Sequence, residues 1–214
     1  MTDVKKLKPL PAEFYRRNTL TVAKELLGKV IIRLSGKQFL SAMITETEAY
    51  IGDHDPASHS YQKITDRNKI MYDTGGKVYV YFIYGNYYCF NIVTGKRGEG
   101  NAVLVRAAEP LNGIERMKKA RGKTLGLHEL TNGPAKLCIA LGIDREFYGE
   151  DVTEKKKIFI SMNKVKKDIT VCTSKRIGIN TGEDLPYRFF IKDNPFVTRH
   201  KFNREIISES KLKS

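Results

Sequence analysis

The sequence predicts an α+β fold: a single mixed domain with a curved antiparallel β-sheet, surrounding helices and a protruding β-hairpin. Three observations predict it. Period-two runs rich in Val, Ile and Tyr recur through residues 78–107 with short Gly-containing turns between them, the pattern of an antiparallel meander. Two stretches, 13–27 and 133–141, carry apolar residues at helical spacing and are followed by Gly28 and Gly142 as stops. The chain has 214 residues, 41% of them apolar, which suffices for one sizeable core, and no repeat or low-complexity linker divides it.

In chain order, EFYRRNTLTVAKELL (13–27) sets Leu20, Val22, Ala23, Leu26 and Leu27 on one face and predicts a single amphipathic helix. KVIIRL and FLSAMITETEAY read as two strands joined in a hairpin across Ser35-Gly36-Lys37. GDHDPASHSYQKITDRNK lacks apolar periodicity and is full of turn formers, so it reads as a long loop of the kind that carries function. KVYVYFIY alternates, with Val78, Val80 and Phe82 on one face and Tyr79, Tyr81 and Ile83 on the other. Gly85-Asn86 then reads as a two-residue turn requiring positive φ, YYCFNIVT returns, and NAVLVRAAEP adds a third strand. Residues 111–120 and 133–141 read as helices, the second capped by Asn132 with Pro134 in its first turn. EDVTEKKKIFISMNKVKK reads as a Lys-rich hairpin, and RIGIN and YRFFIKDNP as short strands. Residues 1–10 and 202–214 are expected to be flexible ends of the 1–214 domain.

The formal net charge is +14, spread along the chain, which points to a polyanionic partner. No apolar run approaches the roughly 20 residues that span a bilayer, and MTDVKKLKPL lacks a signal-peptide core, so an intracellular protein without a membrane partner is expected. Cys89, Cys138 and Cys172 are odd in number and widely spaced, which fits buried small hydrophobes better than disulfides or a zinc knuckle.

Three constellations carry chemistry. In TETEAY, Glu46 and Glu48 share a strand face; the residues alone favour a solvated strand edge, and the adjoining loop weighs against it and toward a general base acting on water. In DHDPASH, His54 and His59 with Asp53 and Asp55 could suggest a metal-dependent hydrolase, but the spacing matches no metal signature and Pro56 interrupts it. In YVYFIYGNYYCFN, most tyrosines fit a half-buried sheet face. Tyr84, however, precedes the turn where little core remains, and an aromatic at a hairpin tip suits a wedge between stacked bases. Tyr81 could then stack on an unpaired base, with Asn91 and Arg106 further along the same meander.

ETEAYIG followed by His59, then YVYFIYGNYYCFN, VLVRAAEP, NGPAKLCIALGI and RIGIN, resemble in order and spacing the alkyladenine (3-methyladenine) DNA glycosylase family. The resemblance runs from about Phe14 to about Val197. It implies a monofunctional glycosylase, without lyase activity or cofactor or metal, that flips damaged purines out of double-stranded DNA and hydrolyses the N-glycosidic bond in base excision repair. By the same resemblance Glu48 is the general base and Arg106 positions the water. Tyr50, His59 and Tyr81 wall the base, Asn91 rejects guanine through its 2-amino group, and the Val197 carbonyl shares the water. Tyr84 fills the gap left by the flipped nucleotide. Asn86 stands where the human member has a methionine, which alters the contact with the opposite strand. The basic loop 116–124 and the Lys-rich 155–167 also depart in composition. A monomer is expected, cytoplasmic and nucleoid-associated in a bacterium or nuclear in a eukaryote. A non-catalytic module binding single-stranded nucleic acid on a tyrosine platform is the alternative, but it has no need of paired carboxylates.

Overall fold

A computed structural model describes residues 4–36, 38–122, 126–161 and 168–212. Nine antiparallel strands among these residues join in one sheet: β1 (Val30–Ser35), β2 (Gln38–Tyr50), β3 (Val78–Ile83), β4 (Tyr87–Thr94), β5 (Asn101–Asn112), β6 (Ile158–Ser161), β7 (Ile169–Ser174), β8 (Arg188–Ile191) and β9 (Ser208–Leu212). The helices are α1 (Ala12–Tyr15), α2 (Thr19–Glu25), α3 (Ile114–Arg121) and α4 (Pro134–Leu141).

The 13-residue β2 is the spine. One of its edges pairs with β5, which continues to β4 and β3. Its other edge is divided: Gln38–Met43 pair with β1, which carries β6, and Glu46–Glu48 pair with β8, which carries β7 and β9. On one face α2 and α4 cover the sheet, burying Val22, Leu26, Leu137 and Leu141 against Ile44, Phe90 and Val105. Each such side chain removed from water contributes about 1.5–3 kcal/mol, so this layer is the main source of stability.

Which face each residue of β2 occupies is decided by a pair of bulges. Ile44 pairs with Ala108, Glu46 with Ala107 and Thr47 with Val105, so Thr45 on β2 and Arg106 on β5 are each unopposed. The two extra residues compensate in register but invert the alternation on both strands. Before the bulge the even residues Ala42 and Ile44 enter the core; after it Ala49 does, and Thr47 donates its hydroxyl to the Ala23 carbonyl (2.8 Å). Without the inversion Glu46 and Glu48 would point into the helical layer.

Several elements differ from the sequence expectation. The single helix over 13–27 is two, because Asn18 breaks it: its side chain accepts from the Leu20 and Thr21 N–H groups (3.1 and 3.2 Å) and starts α2 afresh. Residues 111 and 112 finish β5, and Gly113, at φ 80°, makes the bend into α3; its Cα lies against Leu40, where a Cβ would clash. In α4, Pro134 and Gly142 act as expected, but the N-cap is Gly133, while Asn132 accepts from Lys136 Nζ (2.9 Å). The strands flanking the Lys-rich segment do not pair with each other: β6 joins β1 and β7 lies between β8 and β9. Residues 162–167, 123–125 and Lys37, parts of the two basic segments and of the first hairpin turn, lie outside the described residues. RIGIN is an irregular, bent loop, not a strand. Both ends are also more ordered than expected: Leu7 and Leu10 are buried, and Ser208–Leu212 form β9 along β7.

Replacing Asn18 with Ala removes the cap acceptor of α2 and is expected to lower stability by about 1 kcal/mol, read as a fall in urea midpoint at unchanged m value.

Candidate active site

The uncovered face of the sheet builds the site from one row of register partners. Glu48 on β2 pairs with Leu104 on β5, Leu104 with Asn91 on β4, and Asn91 with Tyr79 on β3. Opposed residues share a face, so this row and its neighbours two residues away, Tyr50, Ala102, Arg106, Cys89 and Tyr81, point the same way. All of these except Glu48, which is hydrogen-bonded to Tyr50 and Arg106, line a cavity of about 550 Å³, closed at its sides by residues 56–59, Met71, Pro134 and the loop 177–181.

Glu46 and Glu48 are both 0% exposed. Burying two carboxylates side by side requires compensation, since each costs several kcal/mol to desolvate. Arg106 lies between them, with Nη1 3.2 Å from Glu48 Oε2 and Nε 3.3 Å from Glu46 Oε1. Arg188 donates to Glu46 Oε1 (2.6 Å), and the Thr198 N–H donates to Oε2 (2.8 Å). Burial alone would raise the Glu46 pKa, but the two guanidiniums and Thr198 outweigh it and hold the group below the usual carboxylate range. The same carboxylates, against the opposing effect of burial, raise Arg106 above its ordinary value. Arg188 is itself held by Ser174 Oγ and Asn203 Oδ1.

Glu48 accepts from the Ile177 N–H at Oε1 (2.8 Å), and from Tyr50 Oη (2.8 Å) and Arg106 at Oε2. A carboxylate offers about four acceptor sites, so three donors leave one on Oε1 for a water. Burial, then the neighbouring Glu48 charge, push the Tyr50 pKa well up, keeping that phenol a donor. The loop supplying Ile177 is anchored by a second buried pair: Arg176 donates to both oxygens of Asp55 and to the Ala49 carbonyl, and packs on the Tyr50 ring at 4.7 Å. This pair ties residues 52–58 to 176–182, the two walls beside Glu48.

Opposite the carboxylates lies an aromatic wall. His59 Nδ1 shares a hydrogen bond with Tyr79 Oη (2.8 Å), and its ring meets Tyr81 edge-on at 4.4 Å. His59 keeps an edge open to solvent, and desolvation of its ring against Tyr79 and Tyr81, then the Arg67 guanidinium, lower its pKa to about 4, so the imidazole is neutral at neutral pH. Asn91 donates Nδ2 to the Tyr79 carbonyl (3.0 Å), which fixes its amide at the cavity floor. Above the cavity rises the β3–β4 hairpin, with Tyr84 81% exposed at its tip. The residues of positive φ are Tyr84 (51°) and Gly85 (72°), so the turn centres one residue earlier than the sequence suggested, and Asn86 donates back to Ile83. A tyrosine in this region costs about 1–2 kcal/mol.

Arg106, Tyr50, His59, Tyr81 and Asn91 thus meet in one cavity, with Glu48 hydrogen-bonded to its lining residues Tyr50, Arg106 and Ile177, Tyr84 on its rim and Asn86 exposed beside it. Val197 stands apart: its side chain packs with Cys172 and Phe190 behind the site, while its neighbour Thr198 reaches Glu46. His54 is exposed and does not line the cavity, and no group of three His, Cys, Asp or Glu suited to a metal occurs among the described residues. Sequence reasoning missed Tyr79, which it assigned to the sheet alone, and missed Glu46 as the partner of Arg188. It also missed the Asp55–Arg176 pair, 121 residues apart in sequence. The alternation of Tyr79 with Tyr81 did signal a shared face; nothing local signals the long-range pairs.

Residues 13–195 match the profile of the methylpurine-DNA glycosylase family. A protein of Carboxydothermus hydrogenoformans is 46% identical over 192 residues, covering 89% of this chain and 98% of the relative. One from Clostridium perfringens strain 13 is 45% identical over 202 residues (89% and 98%). One from Methanocella arvoryzae is 43% identical over 193 residues (89% and 96%). All three are provisionally named 3-methyladenine DNA glycosylases.

The lowered His59 pKa has a consequence for stability. The unfolded chain binds a proton near pH 6.5 that the folded chain refuses until about pH 4, so this contribution is complete above pH 6.5 and is lost as pH falls toward 4. Between pH 6.5 and 5, where carboxylates titrate little, the wild type should lose urea stability and His59→Gln should lose less.

Proposed function

The chain belongs to the methylpurine-DNA glycosylase family, and we propose that it excises alkylated and deaminated purines from double-stranded DNA with a water activated by Glu48. The substrates in this reading are of the 3-methyladenine, 7-methylguanine, hypoxanthine and ethenoadenine class. One observation carries it: Glu48, with no exposure to bulk solvent, accepts from Tyr50, Arg106 and the Ile177 N–H, three residues that line the aromatic-walled cavity, and has an acceptor site left over.

A purine inside a duplex is out of reach, so the nucleotide is extruded at a cost of a few kcal/mol, lower when the base is damaged or mispaired. Tyr84, projecting from the hairpin, fills the vacated space in the stack and offsets part of that cost. The base slots between Tyr50, His59 and Tyr81, where stacking contributes about 1–3 kcal/mol per base. Asn91, its amide fixed by the Tyr79 carbonyl, meets the purine edge and disfavours a 2-amino group.

As the C1′–N9 bond breaks, its electron pair passes to the purine and the sugar becomes oxocarbenium-like. Water oxygen adds to C1′ and its proton goes to Glu48. The negative field of Glu48 stabilises the sugar cation, while Arg106 orients the carboxylate. Tyr50 and the Ile177 N–H fix the same carboxylate from its other sides. Attack by water rather than by an amine is supported by the cavity lining, which contains no lysine among the described residues. The product is then an abasic site with the strand intact.

Glu48→Gln should retain binding to a hypoxanthine duplex while single-turnover excision falls on the order of 10²- to 10⁴-fold; near-normal turnover would overturn the mechanism. Tyr84→Ala should weaken binding to lesion duplex relative to undamaged duplex, and an unchanged ratio of affinities would show that the tip has no part in flipping.

A further inference from the structure

Arg67 is a cation at the aromatic wall that the reaction above does not use. Its guanidinium carbon lies 5.2 Å from the Tyr81 ring centroid, and Nη2 lies 3.5 Å from the Phe82 carbonyl, at the base of the hairpin. The adjacent acid, Asp66, pairs with Lys69 (3.2 Å), and Arg67 has no carboxylate partner among the described residues. Its charge is therefore uncompensated, and it contributes to keeping His59 neutral.

This placement bears on an aromatic pocket's usual preference for cations. Electron-rich ring faces attract a positively charged base. Arg67 already occupies the Tyr81 quadrupole. A base on the same face must displace the guanidinium; a base on the opposite face shares the ring with a like charge. In either arrangement a cationic purine gains less from Tyr81 than it would from a ring with no guanidinium on it.

We propose that Arg67 sets lesion preference, favouring purines that are neutral before cleavage over purines that carry a positive charge. The proposal rests on the reading of this cavity as the base pocket. In both reactions the C1′–N9 electron pair moves onto the purine. Hypoxanthine starts neutral and becomes negative, so the Arg67 charge favours its departure. An N-methylated purine starts positive and leaves neutral, so it is repelled on binding and gains only relief of that repulsion on leaving. The difference between the two substrates is one unit charge interacting with one guanidinium. A base stacked beyond the ring places the charges about 9 Å apart, and an effective dielectric of roughly 30–60 makes this roughly a three- to eight-fold effect.

The test is single-turnover excision at subsaturating enzyme on two duplexes, one with hypoxanthine and one with 7-methylguanine. Any steric effect of Asn91 on the 2-amino group cancels when each variant's ratio of rates is compared with the wild-type ratio. Arg67→Gln should raise the 7-methylguanine-to-hypoxanthine ratio roughly three- to eight-fold, and Arg67→Lys should keep it near wild type. Arg67 is exposed, so neither change disturbs the core. An equal fall on both duplexes would identify Arg67 as a phosphate contact and overturn the proposal, as would an unmoved ratio. A wild type that releases neither purine would overturn the base-pocket reading itself, which is a distinct result.

Discussion

Two carboxylates buried side by side are the constraint on which the rest of this structure depends. Glu46 and Glu48 are buried side by side on the site face of the sheet, and desolvating both is compensated only where fixed cations stand within ion-pair distance. Arg106 and Arg188 supply two positive charges for two negative ones. Arg106 can lie between the two because it is the unopposed residue of a bulge, and the matching bulge at Thr45 turns the glutamates away from the helices. The irregularity in the central strand pair is therefore what separates a charged face from an apolar one within the same two strands.

The groups around that cluster extend it outward in sequence. Arg188 reaches Ser174 and Asn203, and Thr198 caps Glu46, so strands β7 and β8 and the C-terminal segment all end on one buried carboxylate. Glu48 draws in the loop of Ile177, which Arg176 fastens to Asp55. Every wall of the cavity beside the carboxylates is thus held by charge-assisted hydrogen bonds, which rigidify a site that must act on a reacting centre without reorganising. The β3–β4 hairpin differs. Past Val80 it leaves the core, exposing Phe82, Tyr84 and Tyr87, and it strains Tyr84 into the left-handed region. A rigid floor and a projecting tip are the two properties that base extrusion followed by hydrolysis requires of a glycosylase.

Much of this was legible in residue order. The meander over 78–107 follows from alternation and from glycines at the turns, and the two faces of β3 divide as the pattern says. The residues that meet at the cavity were named through resemblance of five motifs, and all five reach it, through Tyr50, Tyr81 and Asn91, Arg106, Pro134, and Ile177. Where local reading failed, a competing interaction explains it. Asn18 offered the backbone a better acceptor than helix continuation, and splits one helix in two. RIGIN has the alternation of a strand, but Arg176 is drawn inward to Asp55 and the Ile177 N–H to Glu48, so the segment has no ladder to join. The C-terminal tail looked polar enough to fray, yet the edge of β7 offers unpaired backbone groups that β9 satisfies.

The sequence by itself determined the fold class, the order of the central strands, the family and the identity of the chemical groups, because periodicity, turn chemistry and motif spacing are local properties of the chain. Only the tertiary structure decided which carboxylate is matched to which arginine, that Tyr79 belongs to the cavity wall with Arg67 over the Tyr81 ring, and that the Val197 side chain packs with Cys172 and Phe190. Those outcomes depend on bulges that invert a strand's faces and on ion pairs closed over more than a hundred residues. Their energies come from burial, which no short window of sequence contains.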